Sequence, residues 1–254
     1  MSSRLSVSHA AVFRLALTRK VRHGMMKETG VRMPKKEEKE QKDSEIPSRK
    51  EIKAMLKNDL MQQNEKMADV LSSQLVYEGP LFQVYKDQVR EPNGHESERD
   101  IIRHNGSVVI LAIDDRESKK DPLVILERQY RHAAGQYLWE VPAGKMEAGE
   151  ERLAAAQREL IEETGYRAEK WTELVRYYAS PGFLGEWMQV FLAEGLTPGK
   201  AQPEADETLT VFSIPLSELD KLIDQGRILD GKTLVSISLY KRLLAARKKH
   251  SKKH

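Results

Sequence analysis

From Gly144 to Tyr166 the chain reads Gly-Lys-Met-Glu-Ala-Gly-Glu-Glu-Arg-Leu-Ala-Ala-Ala-Gln-Arg-Glu-Leu-Ile-Glu-Glu-Thr-Gly-Tyr. This is a glycine-bearing loop, about four turns of helix, predicted over Glu151–Thr164, and a glycine stop at Gly165. Glu159 and Glu163 stand one turn apart, with Glu162 alongside and Glu150 at the entrance. Like charges at this spacing repel, so the helix needs a positive group among them. A divalent cation with oxygen ligands is one candidate. A merely solvated glutamate face would not require Gly144, Arg158 and Gly165 at fixed offsets from the acids.

The flanking sequence places this helix against a sheet. Leu75–Glu78 and Leu81–Val89 alternate apolar and polar residues around Gly79-Pro80, which predicts a hairpin. Ser107–Ile113 and Pro122–Glu127 are apolar runs of strand length, suited to the middle of a sheet covered on both faces. Tyr137–Val141 is a further strand and delivers the chain to Gly144. Within the helix, Leu153, Ala156, Leu160 and Ile161 form the expected core-facing stripe. Strands near Ala168–Tyr178, Trp187–Glu194 and Thr208–Ile214 precede helices over Pro215–Gly226 and Lys232–Arg247. The expected fold class is α/β with a mixed sheet between helices.

The periphery is charged. Residues 1–33 are rich in Arg and Ser, with no acid before Glu28, and residues 34–50 are mostly charged. Residues 51–71 show only weak helical periodicity. We therefore divide the chain into a disordered extension over 1–72, a folded domain over 73–247 and a basic tail over 248–254. The expected location is the cytoplasm, or the mitochondrion if residues 1–30 act as a transit peptide. The absence of cysteine excludes disulfides, thiolate catalysis and cysteine-ligated zinc. No apolar run approaches the ~20 residues of a membrane span. A formal charge of +3 does not argue for a nucleic-acid partner.

The Gly144–Tyr166 stretch resembles the Nudix box: Gly, five residues, Glu, seven residues, then Arg-Glu-apolar-any-Glu-Glu-any-Gly-apolar. Gly144, Glu150, Arg158, Glu159, Leu160, Glu162, Glu163 and Gly165 match, and Tyr166 is a loose fit at an aliphatic position. The resemblance implies an α/β/α sandwich with an N-terminal β-hairpin extension, and hydrolysis of a nucleoside diphosphate linked to another group. It makes Glu159, Glu162, Glu163 and the Ala143 carbonyl the metal ligands, Glu163 a catalytic residue, and Arg158 a group that orients the glutamates. Oxygen ligands without cysteine or paired histidines select Mg²⁺ or Mn²⁺ over zinc.

Sequence outside the box is similar to the ADP-ribose pyrophosphatase subgroup, in Arg99–Gly106, Glu127–Arg131, Leu138–Gly144 and Ala179-Ser-Pro-Gly-Phe-Leu-Gly-Glu186. That likeness implies splitting of ADP-ribose to AMP and ribose 5-phosphate, with another nucleoside diphosphate sugar or a non-catalytic ligand sensor as alternatives. The implied substrate residues are Arg131 on a diphosphate or ribose oxygen, Glu186 on ribose hydroxyls or metal, Pro181 shaping the loop, and Arg99, acting across a dimer interface. A late acid activates the water or completes the metal shell: Glu207, with Glu204 and Asp206 as rivals. The hairpin resembles a segment that relatives exchange between subunits, which implies a homodimer.

Overall fold

The computed structural model describes residues 49–50, 52–54, 66–202 and 208–251. Residues 1–63 and 64–254 form separate units, and the second carries both β-sheets. The predicted acids Glu204, Asp206 and Glu207 lie outside the described residues.

The second unit opens with a three-stranded antiparallel sheet of β1 (Asp69–Glu78), β2 (Gln83–Arg90) and β3 (Glu96–Arg103), in that order. The expected two-stranded hairpin therefore has a third strand, because Asn93-Gly94 supplies a second tight turn with Gly94 in the left-handed region (φ 86°). β1 starts at Asp69 rather than at the predicted Leu75, since β2 extends to Arg90 and offers a partner backbone that far.

The second sheet follows the order β10 (Leu209–Pro215), β5 (Leu123–Arg131), β4 (Ser107–Asp114), β9 (Trp187–Thr197), β8 (Arg167–Tyr178). The β4–β9 pairing is parallel. β4 meets β5 only at its C-terminal end, through Ile113 and Asp114. Its N-terminal end pairs instead with β7 (Ala143–Lys145), while the far end of β5 pairs with β6 (Gln136–Glu140). The sheet thus forks, and several of the predicted site residues gather at the fork.

β4 is buried along its whole length, and its side chains alternate between two cores. Val108, Ile110 and Ala112 pack with Met146, Ala155, Ala156 and Leu160 on the side of α1 (Arg152–Glu159). Val109, Leu111 and Ile113 pack with Leu216 and Leu219 of α2 (Leu216–Asp224) and Ile237 and Tyr240 of α3 (Gly231–Ser251). The covered-on-both-faces reading and the α/β/α sandwich are borne out. α3 also carries the helix past Arg247 to Ser251, into the span assigned to a tail.

The box helix departs from expectation in two ways. It is α-helical only to Glu159, and Leu160–Thr164 form a π turn that ends on Gly165 in the left-handed region (φ 77°). The Thr164 hydroxyl donates to the Leu160 carbonyl and accepts the Tyr166 N–H, which closes that turn. The apolar stripe also shifts. Ala155, Ala156 and Leu160 are buried while Leu153 is exposed, because small side chains let α1 lie close to the sheet.

Candidate active site

Arg158 is the positive side chain set among the box glutamates. Its Nε and Nη2 donate to the two Glu150 oxygens at 3.0 and 3.1 Å. Nη1 donates to Glu159 at 2.8 Å and Glu162 at 2.9 Å, and Nη2 reaches the Lys145 carbonyl at 3.4 Å. All five N–H donors of the guanidinium are used. The Glu150 hydrogen bonds, foremost, hold the Arg158 pKa above its ordinary range, and burial opposes the shift. The Arg158 hydrogen bond in turn lowers the pKa of Glu150. One guanidinium among four carboxylates relieves part of the repulsion posed by the sequence and leaves the cluster negative.

Glu159 and Glu163 point inward, only 8% and 3% exposed. Glu163 accepts the Ala143 N–H at 3.1 Å, which fixes one of its oxygens against β7. Glu159 lies over Gly144, where an added Cβ would meet its carboxylate oxygen at 2.0 Å. A side chain there would push the Glu159 carboxylate out of this position. Among the described residues, no three acids or histidines are arranged to enclose an ion. Arg158 binds three of the predicted acids, and Glu163 faces the backbone. The donor set nonetheless fits a hard divalent cation: it is all oxygen, largely buried, and cradled where a side chain on Gly144 would intrude.

A cavity of about 400 Å³ opens beside β7 at the fork, a size suited to a small-molecule ligand. Ala143, Gly144 and Lys145 form one wall. Leu81, Phe82, Ile102, Leu184 and Met188 supply apolar surface, and His104, Ser107, Glu186, Arg131 and Lys232 are its other polar groups. Leu184 reaches the cavity because the Ser180–Gly185 loop is tied to β3: Ile102 N–H donates to Phe183 at 2.7 Å and Gly185 N–H to Ile102 at 2.9 Å. Glu186 accepts from the Ser107 hydroxyl at 2.7 Å. His104 Nδ1 accepts the Gly106 N–H at 3.0 Å, so the neutral ring carries its proton on Nε2.

Arg131 forms a fork with Glu140, with Nε and Nη2 each 2.9 Å from a carboxylate oxygen. Lys232 binds the same Glu140 oxygen as Nη2, and also Asp230 at 3.0 Å. Asp230 caps α3 by accepting the Thr233 N–H at 2.9 Å and its hydroxyl at 2.6 Å. The Thr233 hydroxyl accepts the Val141 N–H at 2.9 Å, joining α3 to the loop before Gly144. Burial pushes the Glu140 pKa up, but the hydrogen bonds and charges of Arg131 and Lys232 outweigh it and bring it below the ordinary value.

The fold therefore brings Arg131, Ala143 and Glu186 to one cavity, with Glu159 and Glu163 packed against its β7 wall. Glu162 remains with Arg158 at the surface side. Pro181 lines a neighbouring depression with Tyr178 and Phe183. Arg99 does not reach the cavity within one chain; it is exposed on β3 and paired with Glu91 at 2.6 Å. Sequence reasoning overlooked Lys232, His104, Ser107 and a role for Glu140. One signal was present: a carboxylate inside the apolar strand Leu138-Trp-Glu-Val141 must be paired when buried.

Two family models match: the NUDIX domain over residues 103–234 and the nucleoside diphosphate sugar hydrolase N-terminal domain over residues 69–102. Among similar proteins, an ADP-ribose pyrophosphatase of Bacillus subtilis is 38% identical over 66% of this chain and 89% of its own length. An ADP-ribose pyrophosphatase of Mycobacterium tuberculosis is 36% identical over 66% of this chain and 81% of its own. A crystal structure of an ADP compounds hydrolase shares the fold, with TM-score 0.63 and 23% identity over 73% of this chain and 98% of that one. A box whose arginine binds three glutamates, set over a glycine that leaves room for one of them, agrees with these likenesses, and the chain belongs to the Nudix hydrolase family.

Proposed function

We propose that the protein hydrolyses ADP-ribose to AMP and ribose 5-phosphate in the cavity at the fork. One observation carries the reading: a single cavity has Arg131 and Glu186 on its walls and the carboxylates of Glu159 and Glu163 packed behind its β7 edge. Relatives named ADP-ribose pyrophosphatases support the substrate.

The reaction adds a water oxygen to one phosphorus, breaks its bond to the bridging oxygen, and leaves that oxygen on the other phosphate. Arg131 orients a diphosphate oxygen, for which a guanidinium is suited by charge and planarity. Glu186, steadied by Ser107, accepts from ribose hydroxyls. Pro181 shapes the loop that brings Leu184 to the cavity. The water's proton passes to a carboxylate, Glu163 or an acid of the 204–207 segment, foremost Glu207. Glu159, Glu163, Glu162 and the Ala143 carbonyl would hold a divalent cation, Mg²⁺ with Mn²⁺ as substitute. When bound, such an ion places positive charge against phosphate oxygens and acidifies a water.

The working unit on this reading is a cytoplasmic homodimer. β1 is exposed along its length, with Val70, Leu75, Val76 and Tyr77 at 42–60% exposure, an apolar strand that a second copy would cover. Arg99, exposed on the same sheet, would then serve the partner's cavity. A monomeric mass by light scattering would refute this. No described helix is long and apolar enough to cross a membrane. The substrate is tested with a panel of ADP-ribose, GDP-mannose and UDP-glucose, with products resolved by chromatography. ADP-ribose should be turned over fastest, and equal or faster turnover of another sugar nucleotide would overturn the assignment.

A further inference from the structure

We propose that Thr164 is a positioning residue: its hydroxyl locks the π turn at the end of the box helix, and that turn sets Glu163 for binding a divalent cation. This rests on the box glutamates being a cation site.

An α-helix pairs each N–H with the carbonyl four residues back, and a π turn pairs it with the carbonyl five back. Across Leu160–Thr164 this shift takes the Thr164 N–H away from the Leu160 carbonyl. The Gly165 N–H is engaged by the Ile161 carbonyl at 2.9 Å. The Thr164 hydroxyl donates to the Leu160 carbonyl in place of the displaced amide. Leu160 and Thr164 are both buried, so water offers that carbonyl little relief. The same hydroxyl accepts the Tyr166 N–H at 3.1 Å, just past the left-handed Gly165. One side-chain group thus serves a carbonyl inside the turn and an amide beyond its stop. Without it, an ordinary α-helical turn becomes the better arrangement, because the N–H of residue 164 would return to the Leu160 carbonyl.

The acid carried on this turn is one whose setting matters. Glu163 is buried and accepts the Ala143 N–H, while Glu159, the last α-helical residue, lies over Gly144. The two carboxylates therefore address successive residues of β7 from either side of the junction between α-helix and π turn. Arg158 binds Glu150, Glu159 and Glu162; Glu163 takes its setting from the turn. Restoring α-helical pairing changes the turn by one residue, a helical step of about 100°, and would carry the Glu163 carboxylate off the Ala143 N–H. The oxygens offered to a cation would then no longer converge on β7.

Titration of the full chain with Mn²⁺, followed by electron paramagnetic resonance without substrate, tests this in Thr164→Val, Thr164→Ala and Thr164→Ser. Groups that position metal ligands are worth about 10- to 100-fold in affinity or activity. We expect Mn²⁺ affinity to fall by that order in Thr164→Val, kcat for ADP-ribose to fall with it, and KM to change less than about threefold. Thr164→Ser keeps the hydroxyl and should stay within about threefold of the parent throughout. If Thr164→Val does not fold, as judged by circular dichroism, Thr164→Ala carries the test, since alanine favours the α-helical turn. A hydroxyl that merely shapes the helix end would alter the melting temperature and leave Mn²⁺ affinity alone. The proposal is overturned by a folded hydroxyl-free variant with Mn²⁺ affinity within about threefold of the parent, by Thr164→Ser binding as weakly as Thr164→Val, or by failure of both hydroxyl-free variants to fold. A parent that binds no Mn²⁺ would overturn the cation reading and the proposal with it, whereas Mn²⁺ binding without ADP-ribose hydrolysis would overturn the substrate reading alone.

Discussion

Gly144→Ala is a one-carbon test of the site. Its Cβ would stand 2.0 Å from one Glu159 oxygen and 2.3 Å from the other, whereas ordinary contact begins at 3.4 Å. The backbone at Gly144 is not in the left-handed region, so the conflict is purely one of space. The carboxylate must retreat by about 1 Å or more, or β7 must leave its ladder with β4. Retreat is the easier route, since the carboxylate is the end of a side chain, and it disturbs the 2.8 Å bond from Arg158. Misplacement of about 1 Å costs on the order of 10²-fold in rate, and overpacking costs about 1–3 kcal/mol in stability. We expect kcat for ADP-ribose to fall about 100-fold. Arg131 and Glu186 are untouched, so binding of ADP-ribose without divalent cation, measured by calorimetry, should change less than threefold. A folded variant retaining more than a third of parental kcat would refute the placement of Glu159 in the catalytic apparatus.

Arg158→Lys keeps one charge but cannot span Glu150, Glu159 and Glu162 at once. Its kcat should drop at least tenfold with KM little altered, and steady-state kinetics would show it. Glu140→Gln leaves Arg131 and Lys232 without their shared carboxylate, and chemical denaturation should register a loss of about 3–5 kcal/mol. The Glu140 pKa lies below its ordinary 4.5 in the folded protein, so its contribution is present above that pH and fades as pH falls through the folded value. The parent's melting temperature should therefore hold down to about pH 5 and fall below it, less steeply in Glu140→Gln. Glu150, whose pKa is lowered by Arg158, supplies a residual slope in that variant.

Legibility in the sequence followed the range of the interaction. The two-sided burial of Ser107–Asp114 was readable because an unbroken apolar strand admits few other settings. The repulsion among the box glutamates was equally readable, and Arg158, expected from the motif to orient them, binds three of them. The π turn at Leu160–Thr164 was not readable, since it depends on Thr164 bonding back to Leu160 where helical spacing predicts a regular turn. Lys232 and Glu140 are 92 residues apart and meet only once α3 crosses the end of β6. A lysine at a helix start carries no local sign of such a partner. Glu186 was found from its motif, whereas Ser107, the hydroxyl that steadies it, reads in sequence as an ordinary strand residue.

On the proposed function, the box glutamates drive hydrolysis of a sugar-nucleotide diphosphate. This is tested most directly by incubating the parent protein and Glu163→Gln with ADP-ribose and Mg²⁺, with and without chelator, and resolving the products. We expect AMP and ribose 5-phosphate from the parent, no products with chelator, and a loss of at least about 10³-fold in the folded variant, an order expected for a group acting on the reacting atoms. Turnover by Glu163→Gln within tenfold of the parent, or turnover indifferent to the chelator, would contradict it.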